Sequence, residues 1–98
     1  MMLIVCDDLA CASKHLQRLA PTDFRVLSPH IVQMTLGREA VCVVKINGND
    51  SADSLRDILA YLQSQNIHTA YHLFTHGPVP SIVHAAPYPF SPLNLTRV

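Results

Sequence analysis

The segment that decides the topology of this chain runs Pro29-His30-Ile31-Val32-Gln33-Met34-Thr35-Leu36-Gly37-Arg38-Glu39. As a helix it has good boundaries, because Ser28 suits the N-cap and Gly37 follows the last helical position. As a strand it has good periodicity, because apolar and polar residues alternate over 32–36. In that case Gly37-Arg38 forms a two-residue hairpin turn with glycine first. The choice between the two depends on the flanking strands.

Two apolar runs, residues 2–6 and 40–46, have strand length and carry apolar residues on both faces. Strands of this kind belong to sheets that are covered on both sides, as in parallel α/β proteins. A helix over 29–39 would cover a sheet face that otherwise stays open. We therefore favour the helix over the hairpin strand for this segment.

The remaining apolar periodicity predicts alternating strands and helices over residues 1–77. The predicted elements are helices at 8–20 and 51–65 and further strands at 23–28 and 67–75. The order is then βαβαβαβ, which predicts a small four-stranded, mostly parallel, doubly wound (Rossmann-like) α/β sheet. The hairpin alternative predicts a ferredoxin-like βαββαβ sandwich, in which the strands at 2–6 and 40–46 are antiparallel.

Three features of the layout carry a family resemblance over about residues 1–75. They are the opening Met2-Leu3-Ile4-Val5, the Leu36-Gly37-Arg38 turn before Val41-Cys42-Val43-Val44, and the amphipathic helix that follows. In these features the chain resembles small Rossmann-like proteins encoded in bacteriophage genomes. The resemblance implies a Rossmann-like fold and an accessory role, and it implies no catalytic residue.

Composition indicates one domain that is covered in part by another chain. The chain has 98 residues, of which 49% are apolar and only 14% are charged, and its formal net charge is zero. A small monomer normally carries more surface charge, so we expect a protein partner or a homo-oligomer. The seven basic residues are scattered along the chain, which makes nucleic-acid binding unlikely because that function needs a basic patch.

Sequence features also predict a cytoplasmic location. The three cysteines are an odd number, and the apolar start is too short for a secretory signal. A reducing compartment fits this pattern best. No apolar run is long enough to cross a membrane as a helix, so no membrane association is expected.

In the doubly wound fold, polar residues after three strands meet at one edge of the sheet. Carboxylates and a helix N-terminus there would suit a phosphorylated or nucleotide-like compound. The candidate ligand-binding residues are Asp7, Asp8, Asn49, Asp50, Ser51 and His76. The alternative is that the aspartates cap helices and the loop is an ordinary turn. We assign no catalytic residue, no metal ligand and no cofactor.

Residues 78–98 form an apolar, proline-rich tail that holds five of the seven prolines. Because disordered tails are usually polar or charged, this segment is expected to pack on its own domain or on a partner. The candidate partner-binding residues are Ile82, Val83, Tyr88, Phe90 and Leu93.

The sequence favours a small accessory or regulatory protein that acts by protein–protein interaction, as a homo-oligomer and without enzymatic activity. No nucleophile–base pair or metal-ligand cluster stands out in the sequence, which argues against catalysis. The alternative function is a small ligand-binding domain or enzyme that uses the strand-end residues.

Overall fold

The computed structural model describes residues 1–46, 60, 64, 66–84 and 90–93. The elements within these residues are β1 (Met2–Cys6), α1 (Leu9–Gln17), β2 (Thr22–Ser28), β3 (Ile31–Leu36), β4 (Glu39–Lys45), β5 (Thr69–Leu73), α2 (Ser81–His84) and β6 (Ser91–Pro92). The strands form one sheet in the order β2-β3-β4-β1-β5-β6. The helix predicted at 51–65 lies outside the described residues, apart from Ala60 and Ser64.

The prediction of a helix over 29–39 is wrong, and so is the four-stranded, mostly parallel, doubly wound sheet that depended on it. Residues Ile31–Leu36 form β3, which pairs antiparallel with β2 and β4. Val32 and Met34 are buried on one face of the sheet. The alternation of apolar and polar residues therefore outweighed the helix-boundary signals at the two ends of the segment.

The β3–β4 connection is a two-residue hairpin. Leu36 lies opposite Glu39, and Gly37 has a φ of 63°. This left-handed backbone is what a hairpin with glycine first requires, and few other residues adopt it without strain. Gly37 therefore makes the reversal of the chain possible, although a sequence reading can equally take it as the end of a helix.

The sheet is mixed. Strand β1 is central and runs parallel to both β4 and β5, while β2, β3 and β4 form an antiparallel unit. The ferredoxin-like alternative needs β1 and β4 to be antiparallel, so it does not match the sheet in this respect either. Both interpretations fail because they assign one strand too few between α1 and β4.

Two apolar clusters lie on opposite faces of the sheet and alternate along β1, with Leu3 and Val5 on one face and Ile4 and Cys6 on the other. These four side chains have 0–1% of their surface exposed. The predicted burial of residues 2–6 on both faces is confirmed. Both faces therefore contribute to the hydrophobic stabilisation of one small domain.

Helix α1 covers the face that carries Ile4 and Cys6. Asp8 caps it, with a backbone φ of −134° and a side chain that accepts a hydrogen bond from the Cys11 amide. Ala12 and Leu16, four residues apart, are the buried residues of this helix and pack on the sheet. The N-cap fixes where α1 begins, directly after β1, and so determines the geometry at that end of β1.

Candidate functional site

The carboxyl ends of β1 and β5 lie side by side, because the two strands are parallel with Cys6 opposite Leu73. The residues that follow each strand are therefore neighbours. The structure brings Asp7, Asp8 and His76 together at this edge of the sheet. Three other predicted ligand-binding residues, Asn49, Asp50 and Ser51, lie outside the described residues.

The Asp7 carboxylate binds the chain that leaves β5. Its Oδ1 and Oδ2 accept hydrogen bonds from the Thr75 amide at 3.0 and 2.9 Å. The Thr75 hydroxyl donates to Oδ1 at 3.2 Å, and the His76 amide donates to Oδ2 at 2.6 Å. Partial burial raises the pKa of Asp7, but these hydrogen bonds outweigh it and leave the pKa below its ordinary value. Asp7 is therefore charged at neutral pH.

Asp8 has two partners. Its Oδ1 accepts from the Cys11 amide at 3.0 Å, and its Oδ2 lies 3.1 Å from Nε2 of His76. The Cys11 hydrogen bond, followed by the His76 contact, lowers the pKa of Asp8. The His76 side chain is 68% exposed, so this contact is a surface interaction. Asp8 thus acts first as the cap of α1.

The strand-end cluster, formed by Asp7, Asp8 and His76, has a clear structural role. Each Asp7 oxygen already accepts two hydrogen bonds, and an ionised carboxylate has about four acceptor positions in total. In the part of the chain that the structure describes, no group of three His, Cys, Asp or Glu residues is placed to hold a metal ion. These hydrogen bonds indicate that Asp7 holds the end of β1 against the chain that follows β5.

The described residues of the tail pack on the sheet. Val83 is 3% exposed within the same cluster as Leu3 and Val5, and Phe90 packs against that cluster. On the opposite face, the partly buried Leu93 packs against the other cluster, and its amide donates to the carbonyl of His72. Tyr88 and the side chain of Ile82 lie outside the described residues. Val83 is therefore part of the core of this chain.

At the other end of the parallel strands, where β1, β4 and β5 begin, the Glu39 carboxylate lies close to two groups. Its Oε1 lies 2.7 Å from His68 Nε2 and 3.7 Å from the Met1 ammonium. The other ring nitrogen of His68 lies 2.8 Å from the Thr69 hydroxyl. The resulting order of hydroxyl, imidazole and carboxylate is typical of nucleophile activation, but the His68 side chain is 56% exposed. Because this cluster is in contact with bulk water, it is better suited to joining the amino ends of the strands than to activating a nucleophile.

An exposed edge strand is the candidate interaction surface that sequence reasoning missed. Strand β2 lies at one end of the sheet order, and every residue of it except Ser28 is exposed. Val26 and Leu27 have 66% and 54% of their surface exposed, and Phe24 has 39%. The available signal was the run Phe24-Arg25-Val26-Leu27, in which apolar residues do not alternate as they would on a half-buried strand.

Comparison of this chain with protein-family models, curated proteins and solved structures finds no match. Within the described residues, no helix has both the length and the apolar character needed to cross a membrane.

Proposed function

We propose that this protein is a small accessory or regulatory protein that acts by protein–protein contact and assembles as a homo-oligomer. The observation that carries this proposal is strand β2, an edge strand with large apolar side chains exposed to water. The low content of charged residues, 14% of the chain, supports a surface that is covered by another chain.

Edge strands of monomeric proteins usually carry features that prevent pairing with other chains, such as lysine, proline or a covering loop. Residues 22–28 contain neither lysine nor proline, and their exposed side chains are not covered by the part of the chain that the structure describes. The protective features that β2 does carry are two charged residues and two register shifts against β3. Burying the exposed half or more of Val26 and Leu27 would contribute about 1 kcal/mol for each side chain. The strand thus offers both backbone hydrogen bonds and apolar area to a partner.

Substitution of Val26 by lysine tests this proposal. Because Val26 is 66% exposed, Val26→Lys should leave the monomer folded but place a charge in the contact surface. Size-exclusion chromatography with light scattering, run at increasing protein concentrations, should then show an oligomer for the wild type and a monomer for the variant. Gln17→Lys adds the same charge at the exposed end of α1 and is the matched control. A wild type that is monomeric, or a variant that assembles normally, would contradict the proposal.

A second candidate function, binding of a small phosphorylated or nucleotide-like compound, has one observation in its favour. Asp8 and His76 meet at 3.1 Å on the edge of the sheet where ligands of parallel α/β proteins bind. The saturated hydrogen bonding of Asp7 weighs against it. A thermal-shift panel of nucleotides and sugar phosphates tests it, and a ligand present at one hundred times its Kd adds about 2.7 kcal/mol to the stability.

A further inference from the structure

We propose that the partner of β2 is the β2 strand of a second copy of this chain. The two strands run antiparallel about a two-fold axis at Phe24, so that Asp23 of each copy lies opposite Arg25 of the other. This inference rests on the proposed self-association and specifies its surface, its symmetry and its register. It follows from the charges on the strand and from its distorted pairing with β3.

The charges on β2 are self-complementary. Asp23 and Arg25 lie one residue on either side of Phe24, and neither forms an ion pair within the part of the chain that the structure describes. In two antiparallel strands related by a two-fold axis, residues equidistant from the axis lie opposite each other. An axis at Phe24 therefore pairs each aspartate with an arginine and each phenylalanine with its own copy. Opposite charges and aromatic pairs are both favourable across strands.

Neighbouring registers are less favourable. An axis at Arg25 would place two guanidinium groups opposite each other, which is repulsive. An axis at Val26 would place Arg25 opposite Leu27 and leave both charges without a partner. Among these three positions, only the axis at Phe24 satisfies both charges.

The irregular pairing of β2 with β3 affects the two charged residues of the strand, Asp23 and Arg25. The β2–β3 register shifts between Thr22 and Arg25, and Asp23 within that shift has a φ of 52°. Bulges of this kind bend a strand and change the direction of its side chains, and they are common at sheet edges. Asp23 and Arg25 both line one open cavity next to β3 and β4.

The expected dimer is weak. A typical stable interface covers about 800 Å² on each partner, and the whole chain exposes 5929 Å². A contact along seven residues of one strand, distorted by two register shifts, lies at the low end of that range. The assembly should therefore be reversible and should depend on protein concentration.

Charge reversal tests the register. Sedimentation equilibrium should give a dimer Kd for the wild type, and Asp23→Arg or Arg25→Asp should raise that Kd tenfold or more. The loss of affinity is large because the symmetric contact contains the Asp23–Arg25 pair twice. The double variant exchanges the two charges and should return to within roughly threefold of the wild-type Kd.

The outcomes separate this inference from the proposed function. A wild type that remains monomeric at every concentration overturns both. A wild-type dimer that is unaffected by the single variants, or a double variant as weak as the single variants, overturns the register alone. Melting curves of each variant show whether it is folded. Because Asp23 has a φ of 52°, which asparagine also adopts readily, Asp23→Asn is a second variant that removes the charge without backbone strain and should also raise the Kd.

Disulfide trapping gives a second, independent test in a Cys11→Ser background, since Cys6 and Cys42 are buried. Phe24→Cys places two thiols next to the axis, so mild oxidation should give a covalent dimer. Ser28→Cys is the matched control, because the two copies of residue 28 would lie about 26 Å apart, at a rise of about 3.3 Å per residue. Absence of cross-linking through position 24, or equal cross-linking through position 28, would overturn the proposed register.

Discussion

Asp7 should stabilise the fold, and substituting asparagine for it tests this role. Asp7→Asn keeps the size of the side chain but removes the charge and turns one acceptor into a donor. The oxygen that remains can still accept hydrogen bonds, whereas the contacts to the replaced oxygen are lost; if that oxygen is Oδ2, they are those from the Thr75 and His76 amides. Hydrogen bonds to a charged group contribute about 1.5–3 kcal/mol when buried, and solvent screening at this partly exposed site lowers the total. We expect a loss of about 1–2 kcal/mol.

Thermal unfolding followed by circular dichroism measures this loss. In a domain of this size each kcal/mol shifts Tm by about 4–8 °C, so the expected decrease is about 4–16 °C. Asp8→Asn is the matched control, because asparagine caps a helix as well as aspartate does, and its Tm should stay close to that of the wild type. An unchanged Tm for Asp7→Asn, or an equal loss for Asp8→Asn, would refute the assignment.

The pH dependence of the same pair provides a further check. The pKa of Asp7 in the folded protein lies below its ordinary value of 3.8. A lowered pKa contributes stability above the unfolded-state pKa, and this contribution disappears as the pH falls through the folded-state pKa. The difference in Tm between the wild type and Asp7→Asn should therefore be constant at neutral pH and decrease below about pH 4. A difference that grows on acidification would contradict this explanation.

Two further predictions concern the tail and the thiols. Val83→Ala should cost about 2 kcal/mol in urea unfolding, because this tail residue is 3% exposed and loses two buried methyl groups; a cost near zero would show that the tail does not pack on its own sheet. In the native protein only Cys11 should react with a thiol reagent at pH 8, whereas all three cysteines should react in denaturant. Burial, assisted by nearby aspartates, raises the pKa of Cys6 to about 12, and burial raises that of Cys42 to about 11. Rapid reaction of more than one native thiol would contradict the buried positions.

Several features of the fold followed from local patterns in the sequence. The two apolar runs at 2–6 and 40–46 are buried strands, and the strand predicted at 67–75 corresponds to β5. The helix predicted at 8–20 is α1, which ends earlier, at Gln17. These elements were predictable because their periodicity and caps are local properties of the chain.

The topology was not predictable in the same way, because it depends on residues 29–39. Helix-boundary residues and strand alternation both occur in that segment, and a sequence does not show which face of a sheet is already covered. The structure shows that α1 packs on the face that carries Val32 and Met34. No further helix was needed to bury β3, so the alternation of apolar and polar residues determined that this segment forms a strand.

The strand-end site was predicted in part. The proximity of Asp7, Asp8 and His76 followed from parallel β1 and β5, and it survives the change of topology because those two strands remain neighbours. The hydrogen bonds from the backbone of residues 75–76 to Asp7 depend on how the chain turns after β5. The types of the residues in this turn do not determine its conformation. The strand predicted at 23–28 corresponds to β2, but its exposed edge position was missed because an edge position becomes known only from the strand order.

The most direct test of self-association through β2 is hydrogen–deuterium exchange of the wild type at two protein concentrations. If a second copy covers β2, amides of 24–27 should exchange more slowly at high concentration than at low concentration. The amides of β5 (Thr69–Leu73), which lies on the far side of β1 from β2, should show no such change and serve as the internal control. Exchange in β2 that is independent of concentration, from far below to far above micromolar protein, would contradict the proposed function.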